Sequence, residues 1–349
     1  MPLLFAYIGS NLIEFLLFNA YKKRAQRKIE AMPKMIVVGI TASYGKTSIK
    51  NFLYHLLKDD FITYKTPRSV NTIGGILKDI NEDLPKDTQV YIVEMGARAR
   101  GDIKEICDVV EPHYIIVGKI GPAHIEYFKT LENIRDTKLE CIYSKRLKKG
   151  FVDQSAMINE GGKIVEFKPD LHIHSTLEAI EFEFENEKYK ANLLGGFNAS
   201  NIALALSVAK ELGAKDLIQK VATIEPVQHR LQKIEANGKI IIDDSYNGNA
   251  DGMIESFELI GQYEGRKVLV TAGLIEADEE LNRKVAQKAN EIFDLVVITS
   301  NSNYAIFFEN IDSNKFKRLA DKSKMQQMLA ENTTVGDLIL FANDAPNFM

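Results

Sequence analysis

A chain of 349 residues holds about two domains at roughly 150 residues each. Hydrophobic residues at 45% and charged residues at 26% exclude a disordered chain, a collagen-like repeat and a polytopic membrane protein. Lys and Arg total 44 against 48 Asp and Glu, so the net charge of −4 offers no basic field for nucleic acid. Two cysteines, Cys107 and Cys141, exclude a disulfide scaffold and make a reducing compartment the expectation.

Leu3 to Phe18 is an apolar run broken by Gly9, Ser10, Asn11 and Glu14, short of the roughly 20 residues that span a bilayer. Lys22, Lys23, Arg24, Arg27 and Lys28 follow it. A signal peptide carries its positive charges before the apolar run, so secretion is disfavoured. If the helix touches a membrane, the following domain lies on the cytoplasmic side. Membrane contact and plain packing on the body both stay open, and residues 1–30 are expected to be dispensable for folding. From Met35 the pattern alternates. Met35–Thr41, Gln89–Met95 and Tyr114–Lys119 read as strands buried on both faces, with a helix over Thr47–Lys58. Gly150–Glu187 (IVEF, HIHS, IEFEFEN) alternates polar and apolar residues and predicts an antiparallel or edge region. A helix over Asn198–Leu212 follows, then strands at Lys239–Asp243, Lys267–Thr271 and Leu295–Thr299. Strands alternating with helices predict parallel sheets, with a domain boundary near Leu231–Gly238.

The strongest local signal is Gly39-Ile40-Thr41-Ala42-Ser43-Tyr44-Gly45-Lys46-Thr47-Ser48, a buried strand, a tight turn and a helix start. Backbone N–H groups at such a helix start attract phosphates, Lys46 reaches the terminal ones, and Thr47 suits Mg²⁺. The spacing is not that of GxxxxGK[ST], because the position five before Gly45 is Ile40. Glu94 closes a buried strand and His124 follows a Gly-Pro turn after another, both at the carboxyl edge where open α/β sheets bind ligands. Glu94 there suits a metal ion or plain solvation, and a lone histidine is as readily structural. The fold class predicted is α/β: a central P-loop ATPase domain with a mainly parallel sheet over 35–231, and a smaller C-terminal Rossmann-like α/β domain over 232–349. An apolar and basic helix over 1–34 precedes them.

The loop resembles the T-G-[ST]-x-G-K-T-[ST] loop of the Mur ligases, with Ala42 for a usual Gly and Tyr44 for a frequent Asn. The resemblance continues in order. It takes in Asn71-Thr72-Ile73-Gly74-Gly75, Val93-Glu94-Met95-Gly96-Ala97 with Gly101-Asp102-Ile103, Ile120-Gly121-Pro122-Ala123-His124, and Thr137-Lys138-Leu139-Glu140. Gly196-Phe197-Asn198-Ala199-Ser200-Asn201, Gln228-His229-Arg230-Leu231-Gln232 and Asp243-Asp244-Ser245-Tyr246-Asn247-Gly248-Asn249 complete it. Lys119, Phe197 and Asn343-Asp344 depart from the family pattern. The E-M-G-A, G-P-A-H and D-D-S-Y-N-x-N motifs together are similar to the branch that adds D-alanyl-D-alanine to UDP-N-acetylmuramoyl-tripeptide.

The resemblance implies an ATP-dependent, ADP-forming amide-bond ligase of peptidoglycan synthesis that works through an acyl phosphate with two Mg²⁺ ions. It implies catalytic roles for Lys46, Glu94, His124, Lys138 and Arg230. Nucleotide contacts would come from Thr41, Ser43, Gly45, Lys46, Thr47, Ser48, Asn198, Asn201, Arg230, Asp244, Asn247 and Asn249, and metal contacts from Thr47, Glu94, His124 and Lys138. Lys138 would serve as a carbamate, against the plain reading of a surface lysine, and an Asx turn rivals the nucleotide roles of Asn247 and Asn249. Arg230 would meet the γ-phosphate only on domain closure, with Asp244 holding the ribose or that arginine. Most of the family's N-terminal uridine-nucleotide-binding domain is expected to be absent. A monomer in the cytoplasm, at the inner face of the membrane if the first helix touches it, is the expectation. A Mur-type ligase with another acceptor, and a non-catalytic nucleotide-binding scaffold beside the membrane, are the alternatives.

Overall fold

The computed structural model describes residues 2–123, 125–156, 161–246, 248–275 and 277–344, with side chains from residue 13. The chain divides into two compact units, Met1–Lys168 with Leu204–Lys215, and Pro169–Ala203 with Asp216–Met349.

The first unit is built on six strands: β1 (Ile36–Thr41), β2 (Thr63–Lys65), β3 (Val90–Glu94), β4 (Tyr114–Val117), β5 (Lys149–Asp153) and β6 (Ile164–Phe167). Their order is β2-β3-β1-β4-β5-β6, and every pairing is parallel. β1, β3 and β4 are buried on both faces apart from Ile36, which explains their continuous apolar sequence. The helices are α1 (Pro2–Glu30), α2 (Lys46–Leu57), α3 (Ile73–Lys78), α4 (Asp102–Val110), α5 (Ile125–Phe128) and α6 (Leu131–Leu139). Register decides where the chemistry sits. Ile40 pairs with Glu94 and Thr41 with Val117, so the turns after β1, β3 and β4 leave the sheet at one edge.

The second unit begins with an antiparallel three-stranded sheet of β7 (His174–Ser175), β8 (Ile180–Phe184) and β9 (Glu187–Ala191). Helix α7 (Phe197–Glu211) starts in this unit and ends in the first; α8 is Leu217–Ala222. A six-stranded sheet follows: β10 (Gln232–Ala236), β11 (Lys239–Asp244), β12 (Lys267–Thr271), β13 (Leu295–Ile298), β14 (Phe316–Arg318) and β15 (Leu338–Ala342). Its order is β10-β11-β15-β12-β13-β14, parallel except for the β10–β11 hairpin. Helices α9 (Ala250–Gly261) and α10 (Glu279–Ile292) pack against each other beside it.

The expectation of an antiparallel or edge region over Gly150–Glu187 is met in both forms: IVEF is β6, a parallel edge strand paired with β5, and His174–Ala191 is antiparallel. Alternation reports one-sided burial, which a parallel edge strand shares with an antiparallel ribbon. The first helix, expected to be dispensable for folding, is packed on the first unit. Ala25 and Ile29 are 0% and 2% exposed and belong to the same core as Met35, Ile76, Ile80, Ile103 and Ile106. Tyr21 donates to Glu82 (2.7 Å), Asn81 donates to the Tyr21 carbonyl (3.0 Å), and Gln26 donates to the Asp108 carbonyl (3.0 Å). Ile29→Ala is therefore expected to cost about 2–5 kcal/mol, read as a lower melting temperature, and deletion of residues 1–30 to cost more. An unchanged melt in the deletion would show that this docking carries no stability.

Candidate active site

The turn after β1 gathers its polar groups by short local contacts. Gly45 takes the left-handed conformation (φ 77°) immediately before α2, the one place in this turn that requires it. Ala42 has negative φ, so the departure from the family glycine carries no backbone strain. The Ser43 amide donates to the Lys119 carbonyl (2.9 Å). Its hydroxyl donates to the Gly121 carbonyl (2.9 Å) and accepts from the Gly121 amide (3.0 Å). A Cβ on Gly121 would lie 2.5 Å from the Tyr44 ring, so Tyr44 requires glycine there. Ser155 holds the next loop in turn by accepting from the Ile120 amide (2.8 Å). Lys46 curls back over the loop and donates to the carbonyls of Ala42 (2.8 Å) and Ser43 (3.3 Å). Thr47 and Ser48 lie in the first turn of α2, where the helix dipole and unpaired amides favour an anion.

Glu94 is not a solvated strand end. It is 1% exposed, accepts from the Asn71 side-chain amide (3.0 Å) and lies 2.9 Å from the Lys50 amine, as an ion pair rather than an aligned hydrogen bond. Its own amide donates to the Thr66 hydroxyl (3.1 Å). Gly96 follows because a Cβ there would lie 2.7 Å from Asn71 Oδ1. Lys50 also donates to the Arg68 carbonyl. A buried pair is weak evidence for stability, but breaking it from one side leaves a buried uncompensated charge. Lys50→Met is expected to cost about 3–5 kcal/mol of unfolding free energy, and Lys50→Met combined with Glu94→Gln distinctly less than the sum of the single changes. Additive losses in denaturant melts would mean that the two side chains do not act as a pair.

Lys138 sits in the last turn of α6 and is 2% exposed. Burial, and then the neighbouring Lys46 charge, lower its pKa from 10.5 to about 7. Among the described residues no carboxylate pairs with it. It is thus a buried amine of which a large share is uncharged near neutral pH. His124 lies outside the described residues.

The remaining sequence-derived residues lie in the second unit. Asn198 is 5% exposed, donates its amide to the Leu194 carbonyl (2.8 Å) and accepts from the Asn201 side-chain amide (3.3 Å), so the half-buried Asn201 is the more accessible of the two. Arg230 stands between His229 and Leu231, both left-handed (φ 62° and 52°), and donates to the Tyr246 carbonyl. Asp244 is 2% exposed and accepts from the Leu231 amide (3.1 Å) and the Ser256 hydroxyl (3.2 Å), which fixes the chain beside Arg230. Asp243 lies 2.7 Å from His229 Nδ1. Asn249 caps α9 by accepting from the Gly252 amide (2.7 Å), the Asx-type role weighed above, and Asn247 lies outside the described residues.

The first unit therefore brings Thr41, Ser43, Gly45, Lys46, Thr47, Ser48 and Glu94 to one sheet edge. Sequence reasoning missed Lys50, Asn71 as the partner of Glu94, Ser155 as a loop anchor, and a buried Asp79 that accepts from Tyr64 (2.6 Å) and Tyr91 (2.7 Å). Lys50 had a readable signal: it shares the buried face of α2 with Ile49, Phe52 and Leu53, where a cation requires a carboxylate partner. For Mg²⁺, the Thr47 hydroxyl and Glu94 carboxylate are suitably hard oxygen donors, and the buried Thr41 hydroxyl has no hydrogen-bond partner. Among the described residues no group of three or more His, Cys, Asp or Glu could hold a metal.

Residues 40–209 match the model of the Mur ligase middle domain. The chain is 24% identical to the UDP-N-acetylmuramoyl-tripeptide–D-alanyl-D-alanine ligase of Bacillus subtilis, over 87% of this chain and 72% of the relative. It is 25% identical to the Escherichia coli ligase of that name, over 87% and 73%. Among solved structures, the MurF ligase of Thermotoga maritima in complex with ADP superposes with a TM-score of 0.81 at 26% identity, covering 94% of this chain and 80% of that one.

Proposed function

Starting from a chain that carries a Mur ligase middle domain over residues 40–209, we propose that it is an ATP-dependent amide-bond ligase of peptidoglycan precursor synthesis, adding D-alanyl-D-alanine to UDP-N-acetylmuramoyl-tripeptide. The observation that carries this reading is the single sheet edge on which the phosphate turn, Glu94 and the loop ending before His124 emerge from β1, β3 and β4.

In this reading the amides of 43–48 and the α2 terminus hold the ATP phosphates. The Lys46 amine exchanges the Ala42 and Ser43 carbonyls for phosphate oxygens. An acceptor carboxylate oxygen attacks the γ-phosphorus and ADP leaves, giving an acyl phosphate. The dipeptide amine then attacks the acyl carbon, loses a proton, and inorganic phosphate departs. Thr47, Glu94, His124 and carbamylated Lys138 would hold two Mg²⁺ ions, which supply charge neutralisation between phosphate and carboxylate. Arg230 is a candidate for the γ-phosphate only on domain closure; within the second unit, Asp244 accepts from the neighbouring Leu231 amide and is its candidate positioning residue. Asn201 is the better candidate for a nucleotide contact than Asn198, and Asn249 acts as a helix cap.

The test is phosphate release by the purified chain given ATP, Mg²⁺ and UDP-N-acetylmuramoyl-tripeptide, with and without D-alanyl-D-alanine. Release that requires both substrates, with a new amide product by mass, supports the ligase. Another acceptor supporting release would reassign the substrate. Nucleotide binding without release would support a non-catalytic scaffold.

A further inference from the structure

Helix α1 changes character along its length. From Phe18 to Ile29 it is fastened to the first unit by the buried Ala25 and Ile29, by the Tyr21, Gln26 and Asn81 bonds, and by a Lys22–Glu105 ion pair (2.8 Å). Before that, Ile13, Phe15, Leu16 and Leu17 are 58–65% exposed. At about 100° per residue, positions 15, 16 and 17 point to three different faces, so the exposure runs around the helix. A helix seated in a protein groove carries an apolar stripe and a polar back. Apolar side chains on every face suit apolar surroundings. Between Leu3 and Phe18 the only charged residue is Glu14. Immediately after comes the cationic collar, in which Lys23, Arg24 and Arg27 are exposed.

We propose that the Leu3–Phe18 part of α1 seats in one leaflet of a bilayer bearing anionic headgroups, with Lys23, Arg24 and Arg27 against those headgroups. The two halves of the feature supply complementary terms, apolar burial at the tip and charge attraction at the collar. Sixteen residues reach about 24 Å, short of a hydrocarbon core of about 30 Å, and no described helix is long and apolar enough to cross a membrane, so the contact is insertion into one leaflet. Because the collar follows the apolar run, the first unit lies on the cytoplasmic side. The proposal is independent of the ligase reading, since it is tested without substrates.

The test is co-sedimentation of the full chain with vesicles of neutral phosphatidylcholine, alone or mixed with anionic phosphatidylglycerol. Binding to the mixed vesicles is expected, weakened by salt. Lys23→Ala, Arg24→Ala and Arg27→Ala together should lower partitioning on the order of 10²-fold, at about fivefold per basic residue. Phe15→Ser, Leu16→Ser and Leu17→Ser together should abolish binding to both vesicle types. An unchanged far-ultraviolet circular dichroism spectrum and an unchanged melt in both variants would show that the fold is intact. Equal binding to neutral and mixed vesicles, or binding to neither, would overturn the proposal. So would a self-associated chain that the serine variant converts to monomer, since a second copy would then cover the tip.

Discussion

Lys46→Ala is expected to reduce ATP-dependent phosphate release on the order of 10²-fold or more, the loss typical of removing one preorganised contact to developing charge. The amine is already at the phosphate turn, bonded to the Ala42 and Ser43 carbonyls at 2.8 and 3.3 Å. Those carbonyls are weaker partners than a phosphate oxygen, so moving to the nucleotide replaces neutral acceptors by charged ones. The same geometry tells a catalytic role from a structural one. Lys46 is only part-buried, so its loss should change the melt by about 1 kcal/mol or less while the rate collapses. A variant that keeps its release rate would remove the phosphate-loop assignment. One that loses rate and fold together would make the lysine a brace for the turn.

Lys138→Ala is expected to be as damaging, and its loss should be partly reversible by a small carboxylic acid. An ammonium at 4 Å from a cation is opposed by about 4 kcal/mol per unit charge pair at an effective dielectric of 20, or roughly 10³-fold in rate. Reaction of the neutral amine with carbon dioxide forms an N–C bond, releases a proton and leaves a carboxylate, turning repulsion into attraction. Three features favour that step: the side chain is buried, no carboxylate among the described residues pairs with it, and burial lowers its pKa from 10.5 to about 7. Carbamate should therefore accumulate as pH rises from about 6 to 8, visible as a ¹³C-bicarbonate-derived carbonyl resonance absent from the alanine variant. The sign for stability follows. The folded state binds fewer protons than the unfolded chain between about 7 and 10.5, so the penalty of burying this amine is full below 7 and fades as pH rises toward 10.5. If the variant retains most of its rate, or the resonance is missing in the active protein, Lys138 is an ordinary buried lysine.

The parts of the fold legible in sequence were those set by burial on both faces. β1, β3, β4, β12 and β13 are almost wholly inside, so their apolar runs mark them within a residue or two. β6 was legible only as an edge or antiparallel segment, because edge exposure looks the same in parallel and antiparallel sheets. The phosphate turn was legible because its chemistry is local, from Gly45 at φ 77° to Lys46 one residue on. Lys50, Asn71 and Ser155 escaped because their meaning lies in partners 23 to 44 residues away, Glu94 for the first two and Ile120 for Ser155 at 35. Ala25 and Ile29 escaped because basic residues interleave with them and mask a buried stripe.

The place of β15 has a consequence for biosynthesis. It is the last strand of its sheet in chain order, yet it lies in the middle, between β11 and β12. Until it leaves the ribosome, β11 and β12 each present an unsatisfied row of amides and carbonyls flanked by apolar side chains, the surface that pairs with other chains. The first unit can complete its six strands far earlier. Nascent chains stalled before Leu338 should thus hold a folded first unit tethered to a sticky half-sheet, and be captured by chaperones at that stage. Chains that have released Ala342 should close the gap with a single strand and escape them.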